Sequence, residues 1–382
     1  MDNANFIYDK QVSGKNFIGR VNDCNALSQL LSLPQSVALW EPPKSGKTSL
    51  IHQTLYKMKL SGVRFCSPQL SLLSVRSSTD FALRLGSAVL QAAYNTPDEY
   101  AGACAKFLGG THLVFDPQQY SERASAILSA NWDLDGNDLR AVLALPRQVA
   151  ADTSQKVFVV VDEFQNIMLT EDGESLCALL QEELKAGSQQ SCYVLCGSEV
   201  NAMKEIFEHR KLFFRTVEHL PLSPVEPKEI IDKVVKGFLS GGKVVDRELM
   251  LGVCRLFKGN LWYINQHAAI CDSLSKGYIL EPILVEALGM LISTHEPRFK
   301  AMVSGLTTFQ VSVLRAILDG NTRLSSAEVI QRYSLNSSAN VRRLKDALCR
   351  KEIVTFETEE KPVLLDPLFE YWVRKEYFGM EL

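Results

Sequence analysis

A glycine–lysine–threonine triplet is the first part of the sequence that could do chemistry. Gly46, Lys47 and Thr48 follow the apolar run "SVALW" (36–40) and open a segment with helical apolar spacing. A loop between a strand and a helix can surround phosphate groups with backbone N–H groups, and the helix N-terminus adds positive partial charge. The lysine of such a loop reaches the β- and γ-phosphates, and the threonine hydroxyl ligates Mg²⁺. The predicted nucleotide-binding residues are Pro43, Lys44, Ser45, Gly46, Lys47, Thr48 and Ser49.

A pair of acidic residues ends a second apolar run, "VFVVV" (157–161). Because ligands bind at the carboxyl edge of a parallel sheet, Asp162 and Glu163 are predicted to face the same site as the phosphate loop. Asp162 would hold the magnesium ion, and Glu163 would act as general base on the attacking water. The alternative is two solvated acids at the end of a strand.

Two further polar residues are candidates for the same site. Ser198 ends the run "SCYVLCGS" and could sense the γ-phosphate, although an ordinary Gly-Ser turn would look the same. Arg215, in "KLFFRTVEHLPLSP", could reach a γ-phosphate of its own or a neighbouring chain as an arginine finger. The alternative for Arg215 is a loop arginine without such a role.

The usual phosphate loop is G-x-x-x-x-G-K-[ST], and here Glu41 replaces its first glycine. Pro42 favours extended angles at residue 41, so the chain is expected to leave the strand straight and bend around Ser45 and Gly46. A carboxylate about 4 Å from a phosphate charge would cost roughly 4 kcal/mol at an effective dielectric of 20. We therefore expect Glu41 to point to solvent, with nucleotide binding retained and turnover slow.

Composition limits the class of protein. A chain of 382 residues predicts two or three domains, and a net charge of −3 excludes a generally basic nucleic-acid coat. The nine cysteines are scattered without a C-x-x-C pair, which predicts reduced thiols in a cytoplasmic protein rather than a zinc site or disulfides. No apolar run approaches 18 residues, so no membrane partner is expected.

Alternating strand and helix patterns predict an α/β fold with a parallel sheet. Strands are expected at 36–40, 63–68, 156–163 and 191–198. The predicted domains are a P-loop domain (1–220, with a helical insertion at about 79–153), a helical lid (221–300) and a winged-helix domain (306–382). The winged helix is indicated by three helices followed by "IVTFETEEKPVLLDP", which alternates like a hairpin around a polar turn.

The third helix of this last domain carries the candidate DNA contacts. It starts at the N-cap candidate Ser337 and presents Asn340, Arg342, Arg343 and Lys345 within one or two turns. Packing against the lid or binding a protein is the alternative role. The acidic wing tip "FETEEK" would repel phosphate.

The chain resembles the archaeal-type ATPases, which belong to the STAND/AAA+-like P-loop proteins. The resemblance covers about residues 16–376 and is carried by "FIGRVNDCNALSQLL", "PPKSGKTSLI", "VFVVVDEFQNI", "LCGS", "FFRTVEHLPLSP", "KGNLWYINQHA" and "LLDPLFEYWVRK". It implies a parallel sheet of the additional-strand type, a helical lid, a C-terminal winged helix, and ATP with Mg²⁺ as ligands. The chain departs from the family pattern at Cys24 and Asn25, which replace acidic residues, and at Leu261, which replaces the proline of the G-N-P lid signature.

These observations predict a cytoplasmic, Mg-dependent ATP-binding switch that hydrolyses ATP slowly and controls the orientation of the lid and winged helix. DNA, a protein partner or self-assembly are the candidate partners besides ATP and ADP. The alternative is a non-hydrolysing nucleotide-binding or DNA-binding regulator with an impaired phosphate loop. A nucleotide kinase is disfavoured, because no arginine-rich acceptor lid is evident and a winged helix has no place in one.

Overall fold

The strands of the chain are short, and most of them belong to one parallel sheet. The structure is a computed structural model, and it describes residues 5–122, 126–357 and 361–381. In chain order the strands are β1 (Ser36–Trp40), β2 (Phe65–Cys66), β3 (Gln69–Ser71), β4 (Leu113–Phe115), β5 (Leu128–Ala130), β6 (Lys156–Asp162), β7 (Ser191–Gly197), β8 (Val217–His219), β9 (Val244–Val245), β10 (Tyr278–Ile279), β11 (Val354–Phe356) and β12 (Pro362–Leu364).

Helices separate these strands along the chain. They are α1 (Val21–Ser32), α2 (Lys47–Leu60), α3 (Ser78–Ala93), α4 (Pro97–Phe107), α5 (Pro117–Glu122), α6 (Gly136–Thr153), α7 (Gly173–Ala186), α8 (Val200–Lys204), α9 (Pro227–Ser240), α10 (Arg247–Leu256), α11 (Leu261–Leu274), α12 (Glu281–Ser304), α13 (Thr308–Leu318), α14 (Ala327–Arg332), α15 (Ser338–Arg350) and α16 (Pro367–Trp372). Among the described residues, none of these helices combines the length and apolar character that crossing a bilayer requires.

The central sheet has the strand order β2-β6-β7-β1-β8, and β3 also pairs with β6. All of these pairings are parallel. The inner strands are buried along nearly their whole length, as their continuous apolar sequences require when helices cover both faces. The predicted α/β fold with a parallel sheet is therefore confirmed.

The register of the sheet brings the carboxyl ends of its inner strands together. Trp40 of β1 pairs with Gly197 of β7, and Val161 of β6 pairs with Leu195 of β7. The residues that follow β1, β6 and β7 therefore emerge at the same edge. This edge is where parallel α/β sheets bind ligands.

The chain divides into two compact units. The first, called here the C-terminal unit, contains Met1–Arg20, Lys44–Ser49 and Ser223–Leu382, and the second, the sheet unit, contains Val21–Pro43 and Leu50–Leu222. The boundaries predicted from sequence at 220/221 and 300/306 remain a prediction.

One hydrophobic core runs through the C-terminal unit. It joins residues of α9–α12 to residues of α13–α16 without interruption, and Phe6 from the N-terminal segment packs into it. The rings of Phe6 and Phe238 lie 4.7 Å apart between centroids. Gly237 makes room for this contact, because a Cβ there would lie 2.7 Å from the Phe6 ring. The helices before and after residue 300 thus share a core.

The last part of the C-terminal unit has the winged-helix order. Helices α13, α14 and α15 precede the antiparallel pair β11–β12, in which Val354 is opposite Leu364. The Ser337 side chain caps α15 by accepting from the N–H of Asn340, as predicted. Of the acidic wing tip, Thr358–Glu360 lie outside the described residues.

Two small pairs of strands were not expected from the sequence. β9 and β10 pair in parallel between helices of a region predicted to be wholly helical, and β4 and β5 form an antiparallel pair within the insertion. Runs of two or three residues are too short to show an alternating pattern, which explains why periodicity did not indicate them.

The β4–β5 pair is tied to α6 by a histidine–aspartate contact. Asp138, which is 1% exposed, accepts from the backbone N–H of His112 at 2.8 Å, and its second carboxylate oxygen lies 2.9 Å from His112 Nδ1. The hydrogen bond to Asp138 raises the pKa of His112. Burial opposes ionisation of Asp138, but the hydrogen bonds from His112 and Asp135 outweigh it and lower its pKa.

These shifts predict a pH-dependent contribution of His112 to stability. A raised histidine pKa stabilises the fold fully below the ordinary value of 6.5, and the contribution disappears as pH rises through the folded-state pKa. We therefore expect His112→Gln to lower the urea midpoint more at about pH 5.5 than at about pH 9. His209→Gln, on an exposed contact with Glu205, is the control. An equal loss at both pH values would contradict the prediction.

Candidate active site

The phosphate loop makes its turns at Lys44 and Gly46. β1 ends at Trp40 and α2 begins at Lys47, so residues 41–46 form the loop. The φ angles of Lys44 and Gly46 are 64° and 96°, in the left-handed region, whereas Glu41 is not among the described residues with positive φ. A glycine is needed only where φ is positive, so Glu41 replaces the usual glycine without backbone strain. The bend comes late in the loop, as expected.

Within the C-terminal unit, the N-terminal segment makes one hydrogen bond to the phosphate loop and one to the first turn of α2, and Arg20 makes a third to Ser223. Arg20 Nη1 donates to the carbonyl of Ser45 at 2.8 Å, and its Nε donates to the carbonyl of Ser223 at 3.0 Å. The backbone N–H of Val12 donates to Ser49 Oγ at 3.1 Å. Three parts of the chain that are distant in sequence are thereby joined at the loop.

The start of α11 also reaches the loop. Lys44 Nζ lies 5.6 Å from the centroid of the Trp262 ring, a cation–π distance. Asn260 caps α11 by accepting from the N–H groups of Trp262 and Tyr263. Leu261, which replaces the family proline, is the first residue of this helix, where proline is favoured but any residue fits. The departure from G-N-P therefore leaves the helix start intact.

The two reactive side chains of the triplet differ in exposure. Lys47 is 7% exposed, and its Nζ lies 3.5 Å from Ser45 Oγ. Thr48 is exposed in the first turn of α2. An ammonium and a hydroxyl at the start of a helix are the groups that a bound triphosphate and its cation require.

Asp162 and Glu163 lie at the carboxyl end of β6, as predicted. Asp162 Oδ1 accepts a hydrogen bond from the N–H of Glu163 at 3.0 Å. Glu163 has φ 53° and ψ 45°, a left-handed conformation that is uncommon for residues other than glycine. Such backbone conformations cost free energy and concentrate at functional sites.

The carboxylate of Glu163 is held by two donors. Ser198 Oγ and Gln165 Nε2 each donate to Glu163 Oε2 at 2.6 Å. The structure thus brings the candidate base and the candidate sensor residue together. Nearby, burial and the charge of Glu163 raise the pKa of Glu199, which follows Ser198. The carboxyl edge of β6 and β7 is therefore an acidic surface in which Glu163 is fixed.

Arg215 lies in the turns before β8. Its φ is 63°, its side chain is exposed, and its guanidinium is 5.1 Å from the centroid of the Phe214 ring. Within the sheet unit, no hydrogen bond of Arg215 with Glu163 or Ser198 is present among the described residues. The role of Arg215 as an arginine finger stays a prediction.

The candidate DNA contacts on α15 fall into two pairs. Arg342 and Arg343 are exposed. Asn340 Nδ2 donates to the carbonyl of Leu335 at 3.0 Å, and Lys345 Nζ lies 4.3 Å from the centroid of the Phe356 ring. The arginines are thus available to a partner, whereas Asn340 and Lys345 make contacts within their own domain.

Arg20 and Gln165 make contacts at these sites that were not expected from the sequence. Both lie in segments that carry the family resemblance, "FIGR" and "DEFQ". A sequence signal was therefore present, but an arginine or a glutamine in a loop has no distinctive spacing. Only the fold shows that Arg20 binds the carbonyl of Ser45 and that Gln165 binds Glu163.

Comparison with known proteins supports the architecture. Residues 297–375 match a family described as "Probable winged helix domain". The Walker-type ATPase of Pyrococcus abyssi is similar in structure, with a TM-score of 0.68 and 15% identity over 97% of this chain and 99% of that one. The ORC2 protein of Aeropyrum pernix, in ADPNP and ADP complexes, gives a TM-score of 0.53 at 15% identity, covering 93% of each chain. No curated protein sequence matches the chain.

At such identities these likenesses establish the fold. The fold implied by the resemblance to the archaeal-type ATPases is confirmed: a parallel P-loop sheet followed by a C-terminal winged helix.

Proposed function

We propose that this chain binds Mg-ATP and hydrolyses it slowly, and that the nucleotide acts as a conformational switch. The observation that carries the proposal is the common edge of the sheet. The loop with Lys47 follows β1, Asp162 and Glu163 end β6, and Ser198 follows β7, which pairs with both of these strands. Similarity to a Walker-type ATPase fold supports the same conclusion.

The residues of the loop would bind the triphosphate. Backbone N–H groups of Pro43–Ser49, except at the proline, would surround the phosphates, and the ammonium of Lys47 would neutralise the β- and γ-phosphates. Glu163 would accept the proton of the attacking water. ATP is proposed as the nucleotide on the resemblance, and no guanine-reading N-K-x-D motif is evident in the sequence.

The donor set fits a magnesium ion. Thr48 offers a hydroxyl and Asp162 a carboxylate, and hard oxygen ligands of this kind are those that Mg²⁺ takes in proteins. When bound, the ion would neutralise charge on the phosphates as the terminal group leaves. Thr48 is exposed, so its hydroxyl is accessible to an incoming Mg-ATP.

The C-terminal unit supplies the element that would respond. Arg20 and Trp262 contact the phosphate loop, and Trp262 lies in the first turn of α11, whose hydrophobic core continues into the winged helix. We propose that the lid and the winged helix move as one body when the loop closes on nucleotide. A switch must keep its ATP bound for longer than the lid and the winged helix take to move. We therefore expect a low rate of ATP hydrolysis.

A second candidate function is a non-hydrolysing regulator that binds DNA. It is favoured by the exposed Arg342 and Arg343 on α15, which could contact phosphates or bases in a groove. A protein partner or self-assembly would use the same exposed surface.

Equilibrium binding of a fluorescent ATP analogue with Mg²⁺, beside phosphate release, tests the proposal. We expect wild type to bind and to release phosphate slowly. Lys47→Ala should weaken binding about tenfold to a hundredfold, since a hydrogen bond to a charged group contributes about 1.5–3 kcal/mol.

Lys59→Ala, at an exposed position in the last turn of the same helix, is the matched control and should bind like wild type. Failure of wild type to bind would overturn the proposal. Binding without phosphate release would favour the non-hydrolysing regulator.

A further inference from the structure

Gln165 is a buried amide directly beside the candidate general base. It is 5% exposed and lies in the short 3₁₀ helix Phe164–Leu169 that follows Glu163. Its Nε2 donates to Glu163 Oε2 at 2.6 Å, and Ser198 Oγ donates to the same oxygen at the same distance. Two charge-assisted hydrogen bonds on one oxygen fix the plane of the carboxylate.

The other end of this amide has no partner. Gln165 Oε1 is buried and accepts no hydrogen bond within the described part of the chain. Turning the amide over would place Oε1 against the Glu163 carboxylate, where two acceptors repel each other, so Nε2 must face Glu163. Gly197 leaves the space for Oε1, because a Cβ at Gly197 would lie 2.7 Å from it.

An unpaired buried acceptor destabilises a fold. A methionine or leucine of similar volume would fill this space without that cost. Gln165 therefore contributes something other than packing, and its one strong contact is with Glu163.

Because both donors bind one carboxylate oxygen of Glu163, the other oxygen remains available to accept a proton. Among the described residues, both hydrogen bonds to its carboxylate end on Oε2, so Oε1 accepts none. A general base needs a lone pair directed at the water that it deprotonates. Asp162 and Glu199 are neighbouring acids at this edge of the sheet, and burial, followed by the charge of Glu163, raises the pKa of Glu199.

We propose that Gln165 is a positioning residue that holds Glu163 Oε2, so that Oε1 alone takes the proton of the attacking water. The inference rests on the proposed function, in which Glu163 is the base. Gln165 itself contacts neither water nor nucleotide in this scheme. Gln165 acts by orienting the carboxylate of Glu163. The backbone conformation of Glu163 alone does not fix that orientation.

The test is the turnover of Gln165→Met. We expect kcat for phosphate release to fall about tenfold to a hundredfold, as for a small misplacement of a catalytic group, with nucleotide affinity unchanged. The urea midpoint should stay the same or rise, because an unpaired acceptor is removed. Gln165→Leu serves as a second variant if the methionine protein does not fold.

Gln148→Met is the matched control. Gln148, on α6, also has a buried Oε1 without a partner in the described chain, so its substitution repeats the stability effect without touching Glu163. Its kcat should remain that of wild type.

A double substitution separates positioning from a structural role. In the Glu163→Gln background, Gln165→Met should cause no further loss of kcat, because the base is already absent. Additive losses would overturn the inference, as would wild-type turnover by Gln165→Met. Wild type that binds Mg-ATP but releases no phosphate would overturn the proposed function instead, and with it the role of Gln165.

Discussion

Glu163→Gln is expected to reduce phosphate release from Mg-ATP by at least about a hundredfold while nucleotide stays bound. General-base catalysis contributes about 10²- to 10⁴-fold, and an amide cannot accept the proton of the attacking water. Glu163 is the candidate base because it ends β6 beside Asp162 and is held by Ser198. The measurement is single-turnover phosphate release, with bound nucleotide quantified in the same samples.

The substitution should leave the site folded. Glutamine has the same size as glutamate, and its carbonyl oxygen can still accept from Ser198 and Gln165 when the amide is turned towards them. Glutamine tolerates the left-handed backbone at this position about as well as glutamate does. Affinity for Mg-ATP should therefore change little, which separates loss of chemistry from loss of binding.

Glu171→Gln is the control. Glu171 is an exposed acid that lies just beyond the 3₁₀ helix Phe164–Leu169, which follows Glu163. It should release phosphate at the wild-type rate. If Glu163→Gln also kept that rate, another group would be the base and the assignment of Glu163 would be wrong. If both wild type and variant bound nucleotide without release, the non-hydrolysing alternative would be favoured.

The sequence predicted the parts of the fold that have strong local patterns. β1, β6 and β7 lie within one residue of their expected positions, because strands buried on both faces have continuous apolar runs. The helix cap at Ser337 also follows from local residue types. By contrast, β9 and β10 are two residues long and leave no periodic signal.

The contacts of the candidate site could be predicted only in part. Asp162 and Glu163 were placed by the end of their strand, and Ser198 by the end of the next one. That Ser198 and Gln165 donate to one oxygen of Glu163 depends on the register of β6 against β7, which no single segment encodes. The Arg20–Ser45 contact likewise depends on how the chain folds back on itself.

A polar network in the C-terminal unit carries the second large expected effect. Asp366 caps α16 by accepting from the N–H groups of Leu368 and Phe369, each at 3.0 Å. The same carboxylate accepts from the Tyr263 hydroxyl at 2.8 Å and from Arg298 Nη2 at 2.7 Å. These contacts join α11 and α12 to the last helix, across about a hundred residues of sequence.

Asp366→Ala should destabilise this junction by about 2–4 kcal/mol. Loss of a helix cap costs about 1 kcal/mol, and a buried hydroxyl left without an acceptor costs about 1–3 kcal/mol. Tyr263 is 2% exposed, and burial raises the pKa of its phenol, so it remains a neutral donor that requires an acceptor. Arg298 is half exposed and should add little.

Hydrogen exchange of the amides in α16 and α11 measures the effect. Exchange should become about thirtyfold to several hundredfold faster in Asp366→Ala, since about 1.4 kcal/mol corresponds to tenfold. Asp366→Asn keeps an oxygen for the cap and should lose less protection.

Lys258→Ala breaks a neighbouring exposed pair with Glu370 and should change exchange by less than about fivefold, because surface pairs contribute at most about 1 kcal/mol. Protection in Asp366→Ala equal to that of wild type would mean that the shared hydrophobic core alone joins the lid helices to the winged helix. The described contacts of Asp366 are with Tyr263, Arg298 and the start of α16, whereas Arg20 and Trp262 contact the phosphate loop, so nucleotide affinity should remain near that of wild type. Faster exchange with unchanged affinity would therefore identify Asp366 as part of the connection between the two ends of the unit rather than part of the nucleotide site.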